Sequence, residues 1–168
     1  MKGGHVRSPF IMLFYYFLSY NFCIFADVMA RILAIDYGKK RTGLAVTDVL
    51  QIIANGLTTV PTHTLMDFIL DYVKCEPVER IVVGLPKQMN NQPSENMVRI
   101  EPFVNRLRKV LPNIPVEYVD ERFTSVLAHQ AMLDGGLKKK DRQRKELVDE
   151  ISATIILQSY MDSRKFKL

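Results

Sequence analysis

Cysteine is scarce in this chain: Cys23 and Cys75 are its only two. They are too few and too irregularly placed for a disulfide framework or a thiolate zinc site. Cys75 falls within a helical pattern, where a free cysteine is expected as a small buried hydrophobe. No internal repeat and no low-complexity tract occurs, so neither a solenoid nor a long disordered arm is in prospect. The chain has 168 residues, enough for one domain with a real core and too few for two comfortable ones. Neither sign of charge dominates. Lys and Arg number 23 against 18 acids, for a formal net charge of +5, which permits nucleic acid as a partner without demanding it.

Residues 1–28 are compositionally foreign to the rest. They hold eight of the sixteen aromatic residues, packed between Phe10 and Phe25. Lys2 and Arg7 ahead of an apolar run give them the look of a secretory signal. Ser19, Tyr20 and Asn21 interrupt that run, and a spanning helix needs about 20 mostly apolar residues. No clean small-x-small cleavage site follows. Met29 stands directly before the first well-patterned strand. The expectation is that synthesis starts at Met29 and that 1–28 is an over-extended reading frame, with a signal or anchor as the alternative. On that basis residues 29–168 form a single domain with no membrane association and a cytoplasmic location.

From Met29 the chain alternates legibly. Ile32-Leu33-Ala34-Ile35 is an apolar run suited to a strand buried on both faces, and it ends on Asp36. Residues 42–48 and 52–60 give two further strands, the second broken by Asn55-Gly56, and the short connections predict an antiparallel meander. Thr64 with Asp67 three residues later is a helix-start signature, and the following helix is expected to end before Pro77. Residues 81–85 form a fourth strand, and Ser94 is the expected cap of a second helix. Pro102 inside that helix predicts a kink or a late start. Residues 115–119 are the fifth strand. Thr124 or Ser125 opens a third helix that stops at Gly135-Gly136, and a last helix covers roughly 146–162. Three strands, then crossover helices, predict an α/β fold: a five-stranded mixed sheet in the order 3-2-1-4-5, helices on both faces, the ribonuclease H-like arrangement.

Such sheets gather ligands beyond the carboxyl ends of their strands. Asp36 ends strand one, Asp120 and Glu121 end strand five, and Asp149 lies in the first turn of the last helix. Ser152, Ala153 and Ile156 share its side, and the small residues there let the helix approach the sheet and aim Asp149 at the other acids. Asp36, Glu121 and Asp149, oxygen donors with no histidine pair or thiolate nearby, suit Mg²⁺ or Mn²⁺ better than zinc. Two such ions, about 3.5–4 Å apart, can activate a water and stabilise the leaving oxygen of a phosphodiester. Each acid also has a plainer role: turn cap for Asp36, ion pair with Arg122 for Glu121, helix-dipole partner for Asp149. Asp120 is expected to support rather than ligate, and Asp48 and Asp134 to be surface turn residues.

Cations flank these acids. Lys138, Lys139, Lys140, Arg142, Arg144 and Lys145 precede Asp149 within one short linker, and Lys39, Lys40 and Arg41 follow Asp36. Both groups are expected to bind phosphates on opposite sides of a cleft, Arg122 joining them, with a merely solvated loop as the plainer role of the linker. Nothing in the sequence reads bases. Phe123 and Tyr37 could stack on one, though core or turn packing is the expectation for both.

These same residues carry a family resemblance. Ile35-Asp36-Tyr37-Gly38 with Lys40-Arg41-Thr42-Gly43, then Val83-Gly84-Leu85-Pro86 with Gln88-Met89-Asn90, resemble the YqgF family, also called RuvX. Asp120 through Ser125, and Val148-Asp149 followed by residues 155–158, continue the likeness, which covers residues 29–162. One departure is Asn91, where many relatives have glycine. The resemblance implies a ribonuclease H-like nuclease, a phosphodiester hydrolase of two-metal type dependent on Mg²⁺ or Mn²⁺. It carries the metal-binding acids onto Asp36, Glu121 and Asp149, with Asp36 bridging the ions. It implies 5′ maturation of precursor 16S ribosomal RNA, with Holliday junction resolution in DNA recombination as the alternative. A ribosome-assembly factor that binds RNA without cutting it is a further alternative, and monomer or homodimer both stay open. Actin-like ATPases begin with a similar turn on this fold, but they need a second lobe that this chain is too short to supply.

Overall fold

The computed structural model describes residues 30–85, 96–120, 132, 134–136 and 144–165. Five strands form one sheet: β1 (Arg31–Tyr37), β2 (Arg41–Thr47), β3 (Ala54–Pro61), β4 (Val78–Leu85) and β5 (Val116–Asp120). Their order is β3-β2-β1-β4-β5, as the sequence predicts, with β1 antiparallel to β2 and parallel to β4. Three helices complete the described architecture: α1 (Leu65–Cys75), α2 (Met97–Val110) and α3 (Lys145–Lys165).

Strand alternation splits the core in two. Leu33, Ile35, Leu44, Ile81 and Val83 face Leu65 and Ile69 of α1 and Ile100, Val104 and Leu107 of α2. Ile32, Ala34, Ala45 and Val82 face Ala153, Ile156, Leu157 and Tyr160 of α3. The sheet residues on the α3 side are smaller, so that helix lies closer. A polar contact fixes it across β4 and β5 as well. The Tyr160 hydroxyl donates to Glu117 Oε2 at 2.9 Å, and Glu117 also pairs with Arg80.

Several local expectations shift for physical reasons. The third strand begins at Ala54 rather than residue 52, because Asp48 organises the preceding turn. Its carboxylate accepts the backbone N–H groups of Leu50, Ile52 and Ile53, which holds its pKa below the ordinary carboxylate value. Asn55-Gly56 does not break β3. The pair stays in register with Val46 and Ala45, and the irregularity falls beside it, between Leu44 and Ala45. Thr64 precedes α1 but does not cap it with its side chain; its hydroxyl donates to the Pro61 carbonyl within a 3-10 turn over Thr62–Thr64. The second helix starts at Met97, three residues after Ser94, and carries Pro102 inside it.

Cys75 is exposed, not buried. It closes the last turn of α1, roughly a quarter turn off the stripe that starts at Leu65. Met132 and Asp134 have helical backbone, and the following Gly136 takes φ +69°, the left-handed conformation that ends helices. The bulk of the expected third helix lies outside the described residues. Among the described residues no helix is long and apolar enough to cross a membrane.

Candidate active site

Asp36 is the next-to-last residue of β1, directly across the ladder from Gly43 of β2. Gly43 is buried, and a Cβ there would collide with the backbone carbonyl of Asp149. Helix α3 therefore crosses the sheet with Asp149, its fifth residue and so just past the expected first turn, pressed onto the one residue of β2 that has no side chain. The sheet side of the contact is bare for the same reason that the helix side is small: Ser152 and Ala153 are also buried there. Thr59 of β3 adds a tether, its hydroxyl donating to the Glu146 carbonyl at 2.9 Å.

This docking brings Asp149 beside Asp36. The Asp36 carboxyl is pushed up to about 7, first by burial and then by the negative charge of Asp149. A carboxylate so placed is unsatisfied as an anion until a cation or proton arrives. Two carboxylates sharing one edge are oxygen donors of the kind that hard divalent cations take, so the residues present fit Mg²⁺ or Mn²⁺. Glu121, the expected third ligand, lies outside the described residues. Among the described residues no group of three or more acids, histidines or cysteines gathers to hold a metal. Asp120 ends β5 opposite Leu85 at the same carboxyl edge of the sheet.

Arg41 has a different place from the one its sequence neighbours suggest. It is expected on a phosphate-binding rim, yet its Nε donates to Asp149 Oδ2 at 3.0 Å. Lys39 and Lys40, beside it, are exposed on the turn between β1 and β2. That turn is held by Thr62, whose backbone N–H donates to the Lys40 carbonyl and whose hydroxyl donates to the Gly38 carbonyl at 2.8 Å. The Thr42 hydroxyl in turn lies 3.1 Å from that of Thr62. Asn96 closes the opposite flank by donating to the Tyr37 carbonyl at 2.7 Å. Of the basic linker, Arg144 and Lys145 are exposed at the start of α3. Lys138, Lys139, Lys140 and Arg142 lie outside the described residues, as does Arg122.

Sequence reasoning missed Gly43, Thr62 and Asn96 as positioning residues. Gly43 had a usable signal: counting back across the β1–β2 turn sets it opposite Asp36. Thr62 and Asn96 had none, because each acts on a strand remote in sequence.

A family model described as RuvX, Holliday junction resolvase, matches residues 30–163. A protein of Phocaeicola vulgatus is 83% identical over 138 residues, which cover 82% of this chain and 99% of that one. A second, from Bacteroides fragilis, is 74% identical over 137 residues, covering 82% of this chain and 99% of the relative. Both are named as candidate pre-16S rRNA nucleases. Among solved structures, Thermus thermophilus RuvC in complex with a Holliday junction substrate superposes with a TM-score of 0.50 at 17% identity. That match covers 80% of this chain and 96% of the other, and it shows a shared fold.

Proposed function

This chain belongs to the RuvX family, and on that premise we propose that it is a divalent-cation-dependent nuclease acting in 5′ maturation of precursor 16S ribosomal RNA. The observation that carries the reading is the pairing of Asp36 with Asp149 at the carboxyl edge of the sheet, where burial and mutual repulsion call for a cation. The names of the relatives support the substrate.

Asp36, Asp149 and Glu121 would hold Mg²⁺ or Mn²⁺, which when bound supplies an activated water and charge stabilisation for a phosphodiester. The chain's own residues do the rest. Arg41 holds the Asp149 carboxylate in one orientation. Thr62 and Asn96 fix the end of β1, and with it the Asp36 backbone, from two sides. Lys39, Lys40, Arg144 and Lys145 offer charge to the phosphate backbone around the acids.

The test is cleavage of labelled precursor ribosomal RNA and of a four-way DNA junction, side by side with Mn²⁺, by the wild type and Asp36→Asn. The expected outcome is RNA cleavage that Asp36→Asn abolishes. Full cleavage by Asp36→Asn rules the mechanism out, and preference for the junction replaces the substrate with branched DNA.

A further inference from the structure

Asp36 and Tyr37 are consecutive in β1, so their side chains leave the carboxyl edge on opposite faces of the sheet. Asp36 lies on the α3 side with Asp149. Tyr37 lies on the side of α1 and α2, packed against their core, and there it borders an open cavity of about 340 Å³. That is within the range of about 300–1,000 Å³ usual for small-ligand sites.

The lining combines two chemistries. Tyr37 and Phe103 form an aromatic pair with ring centroids 5.1 Å apart and planes tilted by 38°. His63, Arg99 and Arg106 add basic groups, all on exposed residues, and no acid lines the cavity among the described residues. The pattern is built into α2. Arg99, Phe103 and Arg106 recur at four and three residues, so cation, ring and cation share one helix face. Basic groups interleaved with aromatic rings are the lining that single-stranded nucleic acid selects: phosphates take the charge and a base takes the ring. The cavity is too small for a duplex.

We infer that this cavity is a subsite for one unpaired nucleotide of the substrate, its base against Tyr37 and Phe103 and its phosphates on Arg99 and Arg106. The inference rests on the nuclease reading of Asp36 and Asp149 and deepens it. Because the two sites flank one sheet edge from opposite faces, a strand must cross that edge to reach both. Lys39 and Lys40, exposed on the turn that follows Tyr37 and Gly38, stand beside the path of a strand crossing that edge. The end of β1 is held by Thr62 and Asn96, so the spacing between the two sites is set by the fold. The substrate it selects is single-stranded on the subsite side of the cut.

The full chain is tested by fluorescence anisotropy in EDTA, so that binding is read without cleavage. The probes are an RNA hairpin with a short unpaired overhang, the same hairpin made blunt, and the overhang with abasic sites. The wild type is expected to prefer the overhang hairpin over the blunt and abasic probes. The double variant Arg99→Ala/Arg106→Ala, whose positions are exposed, is expected to lose that preference by about tenfold while blunt binding stays within about twofold. Phe103→Leu is expected to bind the overhang and abasic probes alike, with folding checked by circular dichroism. Equal weakening on all probes by the double variant, or no preference in the wild type, overturns the subsite. The two readings fail separately: overhang preference without cleavage in Mn²⁺ leaves the subsite and removes the nuclease, and cleavage without overhang preference does the reverse.

Discussion

The carbonyl of Asp149 rests on the bare Cα of Gly43, directly across the ladder from Asp36. One hydrogen atom, where any other residue has a side chain, lets a helix that begins more than one hundred residues later bring its acid to the end of β1. Gly43→Ala is therefore expected to push α3 off the sheet. The cost in stability is about 1–3 kcal/mol, as for overpacking of a close contact, and the cleavage rate should fall at least about tenfold because the two acids separate. Gly56→Ala is the matched control. Its Cβ would meet Glu150 and Thr154 only at 3.6 Å, an ordinary contact, so both its melting temperature and its rate should stay near wild type. Equal behaviour of the two variants would show that the close approach is not what assembles the site.

Arg41 shields one of those acids. Its ion pair with Asp149 is about one-third exposed on both sides, so it contributes at most about 1 kcal/mol to stability. Arg41→Ala should melt close to the wild type yet cleave more slowly and require more Mn²⁺, since Asp149 loses its orientation. A metal titration of the rate separates this from a phosphate-binding role, which would raise the KM for RNA and leave the Mn²⁺ requirement unchanged.

The carboxyl of Asp36 gives a pH signature in the absence of metal. Its pKa rises from 3.8 to about 7 on folding, so between those values the folded chain keeps a proton that the unfolded chain has released. Stability must then fall as pH increases through that window, and level off above it. Asp36→Asn removes the penalty. In EDTA it should be more stable than the wild type at about pH 8, with the difference shrinking below pH 7 and vanishing near pH 4. Urea unfolding across that range measures it, and a constant difference would place the Asp36 carboxyl in ordinary solvent. Adding Mn²⁺ at about pH 8 should raise the melting temperature of the wild type and leave that of Asp36→Asn nearly unchanged.

Far from the edge, Tyr160→Phe removes the hydroxyl that donates to Glu117. The expected loss is about 1 kcal/mol, with cleavage per folded molecule unchanged, because this contact ties α3 to β5 without touching the acids. A drop in rate larger than the drop in folded fraction would mean that the whole of α3, not its N-terminal end alone, sets the site.

Much of this architecture was legible in one dimension. The apolar runs of β1 and β4 are bounded by turns and leave little choice but buried strands, and the meander followed by crossovers limits the sheet to the order observed. A charge closing a greasy strand marked Asp36, since it needs a partner wherever the chain goes. Local chemistry was less reliable. Thr64 had the residue type and spacing of a cap, but a 3-10 turn gave its hydroxyl the Pro61 carbonyl instead. Cys75 had the helical setting of a buried residue, but it falls about a quarter turn off the stripe that faces the sheet and so stays exposed.

What the sequence determined by itself is the set of groups: which acids, which cations, and on which elements, because periodicity and turn chemistry act over a few residues. What only the tertiary structure decided is their assignment. Arg41 sits in an unbroken run with Lys39 and Lys40, and the three look alike on the page. In the fold Lys39 and Lys40 face solvent while Arg41 turns to Asp149, 108 residues away. Tyr37 is expected to pack in the core or a turn; it does pack against the core, and the edge it leaves uncovered borders a basic cavity. The physical reason is the same in both cases: charge and aromatic surface act through space over a few ångströms, and the chain alone does not say which residues it will bring within that reach.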